Sequence, residues 1–279
     1  MNRELFVHLL PELVESGRLE GVVVVLDVLR ASTTITQALA AGAASVVPCA
    51  SVDEARRIAA THPGGSTLLG GERGGTLIDG FDLDNSPASY TRDVVEGKTI
   101  VFTTTNGTRA LKHAGSARRR LVGAFVNASF VIDLLLRESD CVHLLCAGTN
   151  GRISSEDVLC AGALAHGFRL ATGQAAAAFD DQTQIAIRFY ESCAADPVRF
   201  RTTMRTSYGG RNLHELGLEA DIDIAAGWDL LPIVPELISA SGLIQPAPDV
   251  RPLTTRWLHP PGEPSVPIPT IHSSPNTQH

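Results

Sequence analysis

Lysine is nearly missing from this sequence: Lys98 and Lys112 stand alone against 21 arginines in 279 residues. The arginine total fits codon use in a GC-rich genome, because acids still outnumber bases, 30 to 23, for a formal net charge of −7. A chain that neutralises a nucleic-acid backbone carries a basic field, so DNA and RNA are excluded as partners. Long apolar runs are also lacking. Leu5–Leu10 is broken by His8 and followed by Pro11 and Glu12, too short and polar for a signal peptide or membrane span. Cysteine is sparse and unpaired in pattern: Cys49, Cys141, Cys146, Cys160 and Cys193 form no C-x-x-C and are odd in number. That argues against a disulfide framework and for reduced thiols in a cytoplasmic protein. With 44% hydrophobic and 19% charged residues, wholesale disorder is excluded as well.

What the chain does have is an alternation of apolar strand, small-residue loop and helix. Gly21–Val28 is a β-branched run expected of a strand buried on both faces, and Arg30–Gly42 continues as helix. Ala44–Val47, Lys98–Thr104, Leu121–Val126 and Cys141–Cys146 read as further strands, and Ile222–Ala226 as a late one. Ser51 and Glu54 form a capping box for a helix through Ala60, and Asn127 caps another through Arg137. A long helix starts at Ser154 or Ser155, and Asp181–Ala194 and Pro197–Arg205 follow, the last capped by Asp196. The pattern predicts an α/β, three-layer α/β/α fold with a mainly parallel or mixed sheet. Val22–Gly42 and Thr99–Gly115 resemble each other, which suggests two similar lobes. The predicted domain spans residues 1–245. From Pro246 to His279, where nine of the sixteen prolines fall, a largely disordered tail is expected.

Three loops carry hydroxyls and amides at strand ends, where helix N-termini favour anions. In the first, Asp27 is followed by Arg30, Ser32, Thr33 and Thr34; a strand-end Asp is costly unless paired or metal-bound. The second offers Thr105, Asn106, Gly107, Thr108 and Arg109, and the third runs from Cys146 to Arg152 before Glu156 and Asp157. Beside Asp27, these two acids could complete an oxygen-rich Mg²⁺ site. A glycine-rich stretch, Gly70–Gly75, centres on Glu72 and Arg73 and reads as backbone built for close approach.

DVLRASTTI, GERGG with GFDLDNSP, TTTNGTRAL, CAGTNGRISSEDVLCAGAL and DIDIAAGWDLLPIVP, in this order, resemble the 2-phosphosulfolactate phosphatase family. The resemblance runs from about Asp27 to Pro235. It implies Mg²⁺-dependent hydrolysis of a phosphate ester to sulfolactate on a route to coenzyme M. Carried over by motif, it marks Asp27, Arg30, Glu72 and Arg73 as catalytic. Ser32, Thr33, Asn85, Thr105, Asn106, Gly107 and Thr108, with Arg109, would bind substrate, and Asp27, Glu156 and Asp157 would hold the metal. One departure is Asp84, where the family usually has glycine before Asn-Ser-Pro; near the ligand it would add a repelling charge.

The expected partner is therefore a small anionic phosphate ester of a 2-hydroxy acid, with no nucleic acid, no membrane, and room for a homo-oligomer. Two rival readings stand beside it. Cys146 and Arg152 satisfy C-x₅-R between strand and helix, as in cysteine-dependent phosphatases. A non-catalytic protein holding a phosphorylated metabolite uses the same loops. An aspartyl-phosphate mechanism of the haloacid-dehalogenase type is disfavoured, since it wants a second Asp at position 29, which is Leu.

Overall fold

A computed structural model describes residues 4–15, 17–61, 65–251 and 253. In chain order they form β1 (Leu5–His8), β2 (Val22–Leu26), α1 (Ala31–Ala40), β3 (Ser45–Cys49), α2 (Val52–Ala60), β4 (Thr67–Arg73) and β5 (Thr76–Leu77). Next come α3 (Arg92–Val95), β6 (Thr99–Thr103), α4 (Gly107–His113), β7 (Arg119–Gly123), α5 (Ala128–Leu135) and β8 (Val142–Cys146). The chain continues through α6 (Ser155–Thr172), α7 (Asp181–Ala194), α8 (Pro197–Thr206), α9 (Tyr208–Glu215) and α10 (Glu219–Ala225), and closes with β9 (Pro235–Ile238) and β10 (Leu243–Pro246).

The strands make one mixed sheet in the order β1-β8-β2-β7-β9-β10-β3-β6-β4-β5. Two parallel blocks, β1-β8-β2-β7 and β3-β6-β4, flank the antiparallel β9–β10 hairpin. Helices cover both faces, giving the expected α/β/α layering. Strand β2 shows why its Val run needs no polar face. Val22, Val24 and Leu26 enter one core with α5, α6 and α7, while Val23 and Val25 enter a second with α1, α4 and β6. In that second core Val25 of β2 and Phe102 of β6 share one cluster although four strands separate them in the sheet. The sheet therefore curls around α1 and α4, which brings the ends of distant strands together.

Most predicted elements stand, with shifts at their ends. Ser51 Oγ accepts the Glu54 N–H at 3.1 Å, and Glu54 reaches back to the Ala50 N–H at 2.7 Å. Asp196 caps α8 through the Val198 N–H. Three expectations need correction. Ile222–Ala226 is helix, not strand: Asp221, Ile222 and Ala225 form its buried face at helical spacing, and the apparent alternation of Ile222, Asp223 and Ile224 is incidental. Asn127 does not cap α5; its side chain takes the Ala124 N–H and donates to Ile233 O, while Asp229 accepts the Ser129 N–H at 2.7 Å. The Gly70–Gly75 stretch is largely strand. Gly71 has φ +136°, and a Cβ there would lie 2.0 Å from Thr103 O, so the close approach is to β6 rather than to a ligand.

Strands β1, β9 and β10 were not foreseen. Of the expected tail, Pro246 ends β10, the Ala247 N–H bonds Val234 O at 2.8 Å, and Asp249 pairs with Arg119 at 3.1 Å. Residues 252 and 254–279 of that tail lie outside the described residues. Among the described residues, no helix is long and apolar enough to cross a membrane.

Candidate active site

The carboxyl ends of β2, β4, β6 and β8 open on one cleft of about 170 Å³. That is where ligands sit in open α/β sheets, because the strand-to-helix loops converge there. From the loop after β2 come Asp27, Leu29 and Arg30; from the β4–β5 hairpin Glu72, Gly74 and Gly75. Asn85 lies on the loop after β5, Thr104 to Asn106 follow β6, and Thr149 and Asn150 follow β8. Helix α9 supplies the remaining wall through Tyr208, Gly209, Asn212 and Leu213.

Hydrogen bonds between loops fix this arrangement. Glu72 Oε1 accepts the Thr105 N–H at 3.0 Å and its hydroxyl at 3.1 Å, while Oε2 accepts the Gly75 N–H at 2.7 Å. The Asn150 N–H reaches Asn106 Oδ1 at 3.1 Å. Arg30, only 3% exposed, donates from Nη1 to Asp221 Oδ2 and from Nη2 to Gly75 O, both at 2.7 Å. Asp27 is buried at the cleft wall. Burial, then the negative charges of Glu72 and Glu156, push its carboxyl up to about 7.

Of the residues singled out in the sequence, Asp27, Arg30, Glu72, Asn85, Thr105 and Asn106 share the cleft. The others play supporting parts. Ser32 and Thr33, expected to bind phosphate, turn inward: Ser32 Oγ accepts the Asp27 N–H at 2.9 Å, and Thr33 donates to Val28 O at 2.9 Å. Thr108 likewise donates to Thr104 O at 2.9 Å. Gly107 lies against Asp27, where a Cβ would come within 2.8 Å of Oδ2. Arg73 donates to Glu72 O and to Thr103 Oγ1, and Arg109 pairs with Glu12 at 3.0 Å, so neither guanidinium reaches the cleft.

The acids at the start of α6 also sit behind the cleft rather than in it. Asp157 accepts the Val28 N–H at 2.8 Å and the Gly148 N–H at 3.0 Å, clamping the first loop to the third. Burial, then Glu156 and Asp27, raise its carboxyl well above the usual range. Glu156 packs under the start of α9, where a Cβ on Gly209 would come within 2.2 Å of Oε1. Its Oε2 is buried without a partner, and burial raises its pKa. Among the described residues, no three His, Cys, Asp or Glu side chains gather closely enough to hold a metal by themselves. Asp27 and Glu72 are the acids that line the cleft.

Asp84 is not among the residues that line the cleft. Its carboxylate accepts the Ser86 N–H at 2.9 Å and the Ser89 hydroxyl at 3.0 Å, closing a local turn. Cys146 is fully buried in the core around α6, with its thiol pushed well above the usual range by burial and by Asp157. Arg152 is exposed, so C-x₅-R assembles no nucleophilic site here. Asp221, Tyr208 and Asn212 were missed in the sequence. They come from α9 and α10, whose approach to the strand ends depends on tertiary packing; only the DIDIAAGWDLLPIVP segment hinted at the first.

A model of the 2-phosphosulpholactate phosphatase family matches residues 8–239. The probable 2-phosphosulfolactate phosphatase of Symbiobacterium thermophilum is 42% identical over 217 residues, 77% of this chain and 90% of that protein. The protein of the same name from Caldicellulosiruptor saccharolyticus is 38% identical over 218 residues, 76% and 87% of the two chains. That from Carboxydothermus hydrogenoformans is 41% identical over 214 residues, 77% and 85%. A family match over most of the chain, with relatives 38–42% identical over about three quarters of it, places this chain in the 2-phosphosulfolactate phosphatase family.

Proposed function

We propose that this chain is a phosphoric monoester hydrolase that cleaves the phosphate ester of a small anionic 2-hydroxy acid, 2-phosphosulfolactate to sulfolactate and phosphate, with Mg²⁺ as cofactor. The observation that carries the reading is the charge pattern of the cleft. Asp27 and Glu72 face it together, close enough that Glu72 helps push Asp27 up to about 7, while Arg30, the one cation that lines it among the described residues, is already paired with Asp221. Such a cleft repels a phosphate dianion unless a cation stands between acids and ester.

The donor set suits magnesium, which takes one or two carboxylates and completes its shell with water and phosphate oxygens. Asp27 and Glu72 would hold it; Glu156, raised by burial with an unpartnered Oε2, would add field from behind. Bound there, the ion would supply Lewis-acid polarisation of the phosphoryl group and a more acidic water. The chain's own contribution is positioning and hydrogen bonding, as phosphoryl transfer requires. Glu72 is held by three donors and cannot swing. Arg30 would offer the phosphate the N–H groups that Asp221 and Gly75 leave free, and Asn85, Asn106 and Asn212, which line the cleft with it, would orient the acid end of the ester.

The test is phosphate release from a panel of phosphorylated 2-hydroxy acids, with Mg²⁺ and after chelation. Turnover of 2-phosphosulfolactate that chelator abolishes and Mg²⁺ restores is expected. Absence of turnover across the panel with Mg²⁺ present contradicts the reading.

A further inference from the structure

Among the described residues Arg30 is the one guanidinium that lines the cleft, and the structure shows what holds it. Asp221, on the first turn of α10, is 2% exposed and spends both carboxylate oxygens. Oδ2 takes Arg30 Nη1 at 2.7 Å, and Oδ1 takes the Ser86 hydroxyl at 2.6 Å. Arg30 Nη2 in turn donates to Gly75 O at 2.7 Å. The segments at residues 30, 75, 86 and 221 are thus tied together about the Arg30–Asp221 ion pair. Asp27 and Glu72 line the same cleft as the guanidinium. A guanidinium released beside two carboxylates pairs with them, since opposite charges a few ångströms apart in a part-buried site attract strongly. That pairing would occupy the acids and remove the fork-shaped donor from the phosphate position.

We infer that Asp221 is a positioning residue for substrate binding: it holds the Arg30 guanidinium off Asp27 and Glu72 and keeps its free N–H groups directed at the phosphate. The inference deepens the phosphatase reading above and rests on it. Because Asp221 cancels the charge of Arg30 in place, Arg30 acts by direction more than by net charge. Loss of Asp221 therefore affects binding of the phosphate group before it affects the chemical step.

The test is a double-mutant cycle on Asp221→Asn and Arg30→Met, read as steady-state kinetics with 2-phosphosulfolactate and as calorimetric binding of inorganic phosphate, both with Mg²⁺. Asp221→Asn is expected to raise KM and the phosphate Kd by about tenfold or more while kcat stays within about threefold, the signature of lost binding. In the Arg30→Met background the same substitution is expected to change either constant by less than about twofold, because Asp221 then has nothing to direct. A kcat loss without a KM change, or an equal effect in both backgrounds, overturns the inference. If either single variant fails to unfold cooperatively, Ser86→Ala carries the test, since it frees Asp221 Oδ1 and leaves the ion pair. It is expected to weaken phosphate binding by about threefold, and wild-type affinity there counts against the inference. Wild-type protein that neither releases nor binds phosphate overturns the functional reading and this inference with it, whereas active wild-type protein with a wild-type-like Asp221→Asn overturns the inference alone.

Discussion

Cys146 and Asp27 end neighbouring parallel strands or follow them by one residue, yet their environments assign them opposite roles. Cys146 points into a core of Val, Leu and Ala side chains, where burial and Asp157 hold its thiol protonated. Asp27 faces the cleft beside Glu72. Cys146→Ser is accordingly expected to cost modest stability, because a hydroxyl replaces a thiol in an apolar core, and to leave kcat within about threefold. A serine variant without activity, at unchanged melting temperature, would restore the cysteine mechanism. At this scale the sequence was legible in part. Strand-end chemistry marked Asp27, Glu72, Asn85 and Asn106 because local pattern suffices to place them on loops. The hydroxyls of Ser32, Thr33 and Thr108 bond nearby backbone groups, a choice of partner that depends on rotamers and that local pattern does not carry. Nor does local pattern show that Asp157 clamps two loops, or that Asp221 reaches across 191 residues to Arg30.

Elements with strong local signals, such as β2, α2 and α7, were readable because a β-branched run, a capping box and a long amphipathic pattern each act locally. Strands β1, β9 and β10 are four residues long, and pairing with distant partners sets them, so the sequence carried little trace of them. The pairing of β1 with β8 has a consequence for pH. His8 Nε2 lies 3.0 Å from His143 Nδ1, and Phe6 stacks on the His143 ring. Burial, then His143, lower the His8 pKa from 6.5 to about 4, and burial lowers that of His143 as well. Above pH 6.5 His8 is neutral in both folded and unfolded chains and contributes nothing. As pH falls from 6.5 toward 4 the unfolded chain takes the proton first, so the folded state loses stability. Melting temperature is expected to fall through that window in the wild type and less steeply in His8→Gln. Parallel slopes would show that the pair does not sense pH.

The whole molecule is a curled sheet whose distant strand ends meet at one cleft, and its far end is held by charge. Arg119 bonds Glu138, Glu236 and Asp249, drawing the segment after β10 onto β7 and β9. Removing residues 254–279 is expected to leave melting temperature and kcat unchanged, since that stretch is proline-rich and poor in apolar residues. Removing residues 247–279 takes Asp249 from Arg119 and is expected to lower the melting temperature measurably; equal stability of the two truncations would contradict this assignment. The layered fold was legible because periodicity and turn residues dictate it, whereas the curl that joins β2 to β6 arises only from packing around α1 and α4. The central claim is that the chemistry happens in this cleft and depends on the Asp27 carboxylate. The most direct measurement is single-turnover phosphate release by Asp27→Asn, which removes a charge and almost no volume. The account expects a variant that unfolds at the wild-type temperature or above and has lost far more than tenfold in rate, over ~1.4 kcal/mol of barrier; a variant that folds and keeps more than about a tenth of the wild-type rate would contradict it.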